Sequence, residues 1–204
     1  MKNKIIAVIG AGGKTTLIHR LAEEYRRKGA SVLVSTTTHM LVEPDTDLSC
    51  DSFAIMEKIK KTGYCMAGAV CPENSAKMQS LPEQMLHDLM KQVDYALIEA
   101  DGAKHYALKY PSEQEPVIPE GTTDVILVLG SWDLGKPCKD VVFRFEHMTS
   151  ALGISGDMKA DKQMLQWIWQ AYEEKLKNMD YQGYFHILLS EKTDQGLMFH
   201  TLEE

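Results

Sequence analysis

Two kinds of hydrophobic pattern alternate along the chain. Continuous apolar runs bounded by turn residues predict strands buried on both faces, over residues 4–9, 31–35, 95–98, 124–129 and 185–189, with another short strand within residues 64–70. Apolar residues at helical spacing predict amphipathic helices over residues 14–28, 56–61 and 161–177, and one more that starts near Pro82. Strands that alternate with helices predict an α/β fold, in which helices cover both faces of a mostly parallel sheet in a three-layer α/β/α arrangement.

Length and composition favour one ordinary domain without a membrane segment. The 204 residues are expected to form a single domain over residues 1–204. The net charge of −7 gives no general attraction for nucleic acid or an anionic membrane, so neither is expected as a partner. The longest apolar runs have about five residues, whereas a membrane span needs roughly 20, and the N-terminus does not have the pattern of a signal peptide. The four cysteines lack metal-binding spacing, so we expect reduced thiols and a cytoplasmic location.

The segment between the first predicted strand and the first predicted helix is typical of a phosphate-binding loop. Its sequence is GAGGKTT, and the candidate nucleotide-binding residues are Gly10, Ala11, Gly12, Gly13, Lys14, Thr15 and Thr16. Glycines let backbone amides curl around a polyanion, and the start of the following helix adds its dipole. The Lys14 ammonium is expected to reach the β- and γ-phosphates, and the Thr15 hydroxyl to ligate Mg²⁺. The alternative is a glycine turn that only joins strand to helix.

The match to the phosphate-loop pattern G-x-x-x-x-G-K-[ST] is incomplete. Val8 stands where the first glycine is expected, so the loop is the shortened form G-x-x-G-K-T. A similar shortened loop occurs in Mur-type peptide ligases. The departure therefore keeps the interpretation as a nucleotide-binding loop.

Two carboxylates follow the strand predicted at residues 95–98. Glu99 and Asp101 lie at its carboxyl end, where parallel sheets bind ligands, and a spacing of two places them on one side if the strand continues. We expect Thr15, Glu99 and Asp101 to hold Mg²⁺. Lys14, Glu99 and Asp101 are the candidate catalytic residues, with Glu99 the first candidate for ordering the metal or the attacking water. The alternative is a solvated strand end with a turn at Asp101.

Further polar residues follow the second predicted strand and occupy a long loop. Candidate contacts to the γ-phosphate or to a substrate are Thr36, Thr37, Thr38, His39, Lys104 and Lys109. Threonines are also ordinary residues at strand ends, and lysines are ordinary in solvated loops, so both interpretations stay open. The loop over residues 104–123 contains three prolines, and loops of this length within a compact domain usually have a function.

Four segments together resemble the YqeC family, which is named for an accessory protein of selenium-dependent molybdenum hydroxylases. They are GAGGKTT (10–16), STTTH (35–39), IEADGAKHYALKYPSEQEPVIP (98–119) and VLGSWDLGKP (128–137). The third segment is the specific one, because the phosphate loop alone indicates only a nucleotide. The resemblance implies a role in maturing selenium-dependent molybdenum hydroxylases, with one of these enzymes or its maturation proteins as partner. Glu99 is also similar to the glutamate of metallochaperone GTPases.

Two positions bear on that resemblance. Gln114 stands where family members often have histidine, so a proton-transfer role assigned to that position is in doubt here. The run from Glu191 to Asp194 is similar to the guanine-reading motif N-K-x-D, but Glu191 replaces the asparagine, and ATP and GTP both stay open.

The sequence therefore predicts a P-loop NTPase-like protein that binds ATP or GTP with Mg²⁺ and hydrolyses it as a cytoplasmic maturation factor. One alternative is an ATP-dependent synthetase or kinase, whose small acceptor would bind against the long loop that follows Gly102. The other is a nucleotide-binding partner module that does not hydrolyse its ligand.

Overall fold

A computed structural model describes residues 3–202 of the chain. The helices are α1 (Lys14–Arg27), α2 (Ser52–Thr62), α3 (Glu83–Met90), α4 (Cys138–Val141), α5 (Phe145–Leu152) and α6 (Lys162–Asn178). The strands are β1 (Lys4–Gly10), β2 (Val32–Thr36), β3 (His39–Leu41), β4 (Tyr64–Met66), β5 (Ala69–Val70), β6 (Lys77–Gln79), β7 (Tyr95–Glu99), β8 (Leu108–Lys109), β9 (Asp124–Gly130), β10 (Val142–Phe143), β11 (Tyr184–Thr193) and β12 (Gly196–Thr201). Each predicted helix and strand is present, with bounds that differ by a few residues.

The described chain divides into two compact units. The first contains residues 3–8, 15–101 and 117–124, and the second contains residues 9–14, 102–116 and 125–202. The boundary passes through the GAGGKTT segment, between Lys14 and Thr15. A single domain over residues 1–204 stays a prediction.

Parallel strands form the sheet of the first unit. β1 pairs with β7, and β2 pairs with β7 and with β4, all in parallel, which gives the order β1-β7-β2-β4. The register sets Val8 of β1 and Thr36 of β2 opposite Glu99. The predicted α/β class with a mostly parallel sheet is confirmed. The carboxyl end of β2, at Thr36, lies level with that of β7, at Glu99.

Helices cover both faces of this parallel sheet. Ala96 and Ile98 of β7 belong to a core cluster with buried residues of α2 and α3. Tyr95 stacks instead on Tyr25 of α1, with ring centroids 3.7 Å apart. Because consecutive residues of a strand point to opposite faces, α1 lies on the face opposite α2 and α3. The first unit is therefore a three-layer arrangement with the sheet in the middle.

Local sequence signals explain the ends of α2. The Asp51 carboxylate accepts hydrogen bonds from the amides of Phe53 and Ala54, which satisfies donors that have no partner within the helix. Gly63 follows the last turn with φ of 75°, in the left-handed region that glycine adopts at little cost. These two caps fix the helix that packs against β4.

The second unit contains the C-terminal strands and helices. β9, β11 and β12 are successive neighbours, and β11 and β12 form an antiparallel hairpin with Thr193 opposite Gly196. The Asp161 carboxylate caps α6 by accepting from the Met164 amide at 3.0 Å. α6 buries apolar residues at helical spacing, namely Met164, Leu165, Ile168, Tyr172 and Leu176. The amphipathic helix predicted over residues 161–177 is therefore present.

Short elements depart from the sequence prediction. β3, β6 and β5 form a separate antiparallel sheet in the first unit. The segment predicted as a loop over residues 104–123 contains β8, which pairs in parallel with β10. β12 follows β11, so the strand predicted as the last one is not the last. Strands of two or three residues are too short to produce a periodic pattern, which explains most of these misses.

The structure also contains no membrane-spanning candidate in the part of the chain that it describes. No helix within residues 3–202 is both long enough and apolar enough to cross a bilayer.

Candidate functional site

The phosphate-loop segment follows the predicted order of strand, loop and helix. β1 ends at Gly10 and α1 begins at Lys14, so residues 11–13 form the connection. In the second unit, the Ala11 amide donates to the Val128 carbonyl of β9 at 3.0 Å. The loop therefore starts with its backbone fixed to a neighbouring strand.

Two glycines of the loop are required by close packing against other backbone. Gly10 and Gly12 both have φ of 84°. A Cβ atom on Gly10 would lie 2.4 Å from the Val128 carbonyl oxygen, and one on Gly12 would lie 2.5 Å from the Gly130 amide nitrogen. Real Cβ atoms do not approach backbone this closely, so any side chain here would displace the loop. The sequence explained these glycines by phosphate binding or by a turn between strand and helix, and the structure adds close packing against β9 as a further reason.

Residues from β11 and β12 support the loop within the second unit. The fully buried Ser190 hydroxyl donates to the Gly12 carbonyl, and it lies 3.3 Å from the Leu129 carbonyl. A Cβ atom on Gly13 would lie 2.6 Å from Leu197 and 3.5 Å from Phe199. Sequence analysis missed these three supports, because nothing in a serine or in two apolar residues of a late strand marks contact with an N-terminal loop.

Lys14 folds back over the loop that precedes it. Its side chain is buried, at 6% exposure, and its ammonium donates to the Gly10 carbonyl at 3.0 Å. The first turn of α1 contains no acidic residue, whereas the last turn contains Arg26 and Arg27. A helix start without acidic residues keeps the positive end of its dipole available to an anion. The local electrostatics of this segment therefore favour a negatively charged ligand.

Thr15 and Glu99 are in direct contact within the first unit. The Thr15 hydroxyl donates to the Glu99 carboxylate at 2.8 Å, and Glu99 is 7% exposed. Sequence analysis predicted both as Mg²⁺ ligands, and the structure brings these two together. Hydroxyl and carboxylate oxygens are the donors that Mg²⁺ prefers, so this pair fits the ion chemically.

Asp101 has a different position from the one its spacing suggested. β7 ends at Glu99, so the strand does not continue to Asp101 and no alternation of a strand relates the two carboxylates. Asp101 is nevertheless fully buried. Within residues 3–202 no group of three or more His, Cys, Asp or Glu side chains is arranged to hold a metal ion.

The threonines after β2 form hydrogen bonds with the backbone. The Thr36 hydroxyl donates to the Glu99 carbonyl at 2.8 Å and accepts from the Thr38 amide at 3.0 Å. The Thr37 hydroxyl donates to the Val117 carbonyl at 2.7 Å. His39 begins β3, where it is exposed and pairs with Gln79. Thr36 and Thr37 thus have a structural role, and contact of any of these residues with phosphate or substrate stays a prediction.

A buried ion-pair cluster organises the family-specific segment in the second unit. The Lys109 ammonium is fully buried and donates to the Glu115 carboxylate at 2.7 Å and to the Gly102 carbonyl. Arg144, which precedes α5, contacts the same Glu115 oxygen at 2.8 Å. Burial would raise the pKa of the Glu115 carboxyl, but Lys109 and Arg144 outweigh it and lower that pKa. These contacts give Lys109 a structural role, and its predicted contact with phosphate or substrate stays untested.

Lys104 lies in a tight turn on the surface of the same unit. Lys104 and His105 both adopt left-handed backbone conformations, with φ of 45° and 67°, and both are exposed. The Lys104 ammonium lies 5.3 Å from the centre of the Phe143 ring. The structure therefore places Lys104 near an aromatic ring and leaves its predicted phosphate contact open.

A groove of about 380 Å³ lies beside the long loop in the second unit. Its lining includes Tyr110, Glu113, His147 and Glu174. Lys175 of α6 donates to the Glu113 carbonyl at 2.7 Å and also to the Ser112 carbonyl, which fixes the loop to the helix. Burial and the nearby Glu174 raise the pKa of the Tyr110 hydroxyl. The volume lies within the range of small-molecule sites, roughly 300–1,000 Å³.

Other candidate residues lie outside these contacts. Gln114 is exposed in the long loop, and Asp194 lies in the exposed turn between β11 and β12. The four cysteines are free thiols, as predicted. Burial raises the pKa of the Cys65 thiol to about 11, so that this cysteine stays protonated at neutral pH. A protonated buried thiol is a structural group rather than a nucleophile.

Comparison with known proteins identifies the family. Residues 6–146 match the family model described as "YqeC protein". The chain belongs to the YqeC family. It is similar to "Uncharacterized protein YqeC" of Escherichia coli (strain K12), with 34% identity over 161 residues that cover 75% of this chain and 62% of the relative. This YqeC-family chain thus spans less than two thirds of that relative's length. No solved structure matches the chain.

Proposed function

We propose that this protein binds a Mg²⁺–nucleoside triphosphate and hydrolyses it as a cytoplasmic accessory protein. The observation that carries the proposal is the 2.8 Å hydrogen bond from Thr15, next to the loop lysine, to Glu99 at the end of β7. Phosphate-loop NTPases place a hydroxyl residue after the lysine and a carboxylate at a neighbouring strand end for the same ion. A P-loop NTPase-like fold is part of this proposal.

The residues have separate roles in the proposed site. The backbone amides of residues 10–14 and the Lys14 ammonium hold the phosphates. Thr16 lies in the first turn of α1, whose N-terminus faces the phosphates. Thr15 and Glu99, with Asp101 as a further candidate, would hold Mg²⁺. When bound, Mg²⁺ neutralises the negative charge that the phosphates carry. These roles use oxygen ligands for the ion and positive groups for the phosphates, as each chemistry requires.

Hydrolysis would transfer the γ-phosphoryl group to water. The water oxygen bonds to the γ-phosphorus while the bond from that phosphorus to the bridging oxygen breaks, which yields a nucleoside diphosphate and phosphate. Glu99 orients the water or its proton within a buried setting. No arginine is placed in a recognisable finger position in the sequence, so a partner protein would complete the site and accelerate turnover.

The pathway part of the proposal comes from the family. The segment at residues 98–119 resembles the YqeC family, and this resemblance implies a role in maturing selenium-dependent molybdenum hydroxylases. We therefore propose one of these enzymes, or a protein that matures it, as the partner. Turnover that rises when that partner is added would support this part of the proposal.

Replacement of Lys14 tests nucleotide binding. Lys14→Ala should abolish the thermal stabilisation that ATP or GTP with Mg²⁺ gives to the wild type, because the ammonium no longer meets the phosphates. At a ligand concentration about 100 times Kd, that stabilisation is about 2.7 kcal/mol. Lys28→Ala, beyond the other end of α1, is the matched control and should keep it. If nucleotide with Mg²⁺ stabilised Lys14→Ala as much as the wild type, the proposal would be contradicted. Calorimetry in which the wild type binds neither ATP nor GTP would contradict it as well.

Replacement of Glu99 separates binding from turnover. Glu99→Ala should still bind nucleotide while single-turnover hydrolysis slows by about 100-fold or more, as expected for a residue that positions a proton or water. Normal hydrolysis by this variant would remove Glu99 from the mechanism. A wild type that binds nucleotide with Mg²⁺ and releases no phosphate would instead support the partner module that does not hydrolyse.

A second candidate function is phosphoryl transfer to a small acceptor. The observation that favours it is the groove of about 380 Å³ along the long loop, where sequence analysis expected an acceptor pocket. Turnover that rises sharply with one small molecule, and that falls when Glu113→Ala changes the groove lining, would favour transfer. Turnover that responds only to a partner protein would favour hydrolysis.

A further inference from the structure

Trp132 lies close to the glycine loop, with Gly130 packed between its ring and Gly12. Gly130, at the end of β9, is so close to Gly12 that a Cβ on Gly12 would lie 2.5 Å from the Gly130 amide nitrogen. A Cβ on Gly130 would in turn lie 2.9 Å from the Trp132 ring. All three residues belong to the second unit, so the indole ring lies near the loop within that unit.

The ring is accompanied by other groups that suit a flat, polar aromatic ligand. Lys192 of β11 places its ammonium 4.5 Å from the centre of the Trp132 ring. Trp132 is half-buried and Lys192 is exposed, so the pair lies at the surface. Leu197 and Phe199, which are half-buried, flank Gly13 of the same loop. An aromatic face with a hydrogen-bond donor beside it offers both stacking and a polar contact.

We propose that Trp132 and Lys192 form the nucleobase-binding part of the nucleotide site. The indole ring stacks on a purine base, and the Lys192 ammonium moves off the ring to donate a hydrogen bond to an acceptor of the base. This inference rests on the proposed function, because the phosphates are what bring the base to this ring. It uses different residues from the resemblance of 191–194 to the guanine-reading motif, in which Asp194 would meet the base, since Asp194 lies in the exposed hairpin turn two residues beyond Lys192.

A purely structural role for Trp132 makes a different prediction. If the ring only covers Gly130 and stabilises the loop, its loss weakens binding of every polyphosphate alike. If the ring stacks on a base, its loss weakens binding only of ligands that carry one. Inorganic tripolyphosphate therefore separates the two roles, because it has the phosphates without the base.

The test measures the affinity of the full chain for ATP, GTP and tripolyphosphate with Mg²⁺ by calorimetry. Trp132→Leu should weaken binding of at least one nucleotide by about tenfold, as expected for loss of base stacking, and leave tripolyphosphate binding unchanged. Trp132→Phe should keep most of the affinity. Lys192→Ala should weaken nucleotide binding by a smaller factor. Lys136→Ala, which removes an exposed lysine four residues from Trp132 in the chain, should not change nucleotide binding.

Two results would overturn the inference and leave the proposed function standing. One is nucleotide affinity of Trp132→Leu equal to that of the wild type. The other is an equal loss for nucleotide and tripolyphosphate, which would assign the ring a structural role. A wild type that binds neither nucleotide nor tripolyphosphate would reject both this inference and the proposed function.

Fluorescence gives an independent measurement that does not depend on the fold of Trp132→Leu. A variant with Trp167→Phe and Trp169→Phe retains Trp132 as its remaining tryptophan. Its emission should change on addition of ATP or GTP and not on addition of tripolyphosphate. An equal response to both ligands, or no response to a nucleotide that calorimetry shows to be bound, would contradict base stacking.

Discussion

Two buried lysines of the second unit differ in what holds them. Lys109 is fully buried and donates to the Glu115 carboxylate, which also contacts Arg144. Lys14 is 6% exposed and donates to the neutral carbonyl of Gly10, at the end of the strand that leads into its loop. Lys109 belongs to an ion-pair cluster in the long loop, whereas Lys14 lies in the glycine loop and is proposed to meet a ligand.

The difference separates stability from ligand binding. Removing one member of a buried ion pair leaves the other charge in a poorly solvated place, which is strongly destabilising. Lys14 lies in the loop that is proposed to bind phosphate, where its charge would meet the ligand. Lys109 is therefore expected to matter mainly for folding, and Lys14 for binding of the proposed anion.

The largest effect is expected for the ion-pair cluster. Lys109→Ala should lower the free energy of unfolding by about 3–5 kcal/mol, because Glu115 keeps its charge with one cation fewer. Urea denaturation followed by circular dichroism measures this quantity. Lys104→Ala, an exposed lysine in the same segment, is the control and should change it by less than about 0.5 kcal/mol. A small effect of Lys109→Ala would show that the cluster contributes little to folding.

Acid pH should weaken the same cluster. The folded-state pKa of Glu115 is lowered, so its contribution is present above the unfolded-state pKa of about 4.3 and is lost as pH falls through the folded-state value. Glu115→Gln should be less stable than the wild type at pH 7, and its stability should fall less steeply in acid. Denaturation curves at a series of pH values provide the test, and parallel pH profiles for the two proteins would contradict it.

A smaller loss of stability is expected when the hydrogen bond of Thr37, just after the end of β2 in the first unit, is removed. Thr37→Val keeps the shape of the side chain but leaves the Val117 carbonyl without its 2.7 Å hydrogen bond. The free energy of unfolding should fall by about 1 kcal/mol. Ser49→Ala, in an exposed loop of the same unit, serves as the comparison substitution. No loss in Thr37→Val would show that solvent replaces the hydroxyl at this carbonyl.

Local features of the site could be predicted from the sequence. The strand, the glycines, Lys14 and helix α1 are consecutive, so their order alone specifies the loop. Glu99 could be found because it directly follows a continuous apolar strand. Such features depend on neighbours in the chain, and periodicity and turn chemistry describe those neighbours well.

Features that depend on distant residues could not be predicted. Arg144 meets Glu115 only because the chain between them folds back, and no local pattern indicates that pairing. Ser190 bonds to Gly12 for the same reason. The burial of Asp101 beyond the end of β7 also depends on tertiary packing, which overrides the simple alternation of a strand. Tertiary contacts of this kind decide which of the sequence candidates are structural.

The packing of Leu197 and Phe199 beside Gly13 has a consequence for the order of folding. Residues 14–196 separate Gly13 from Leu197 in the chain, and contacts between such distant residues form slowly. The glycine loop should therefore acquire its final conformation late in folding, after β11 and β12 have paired.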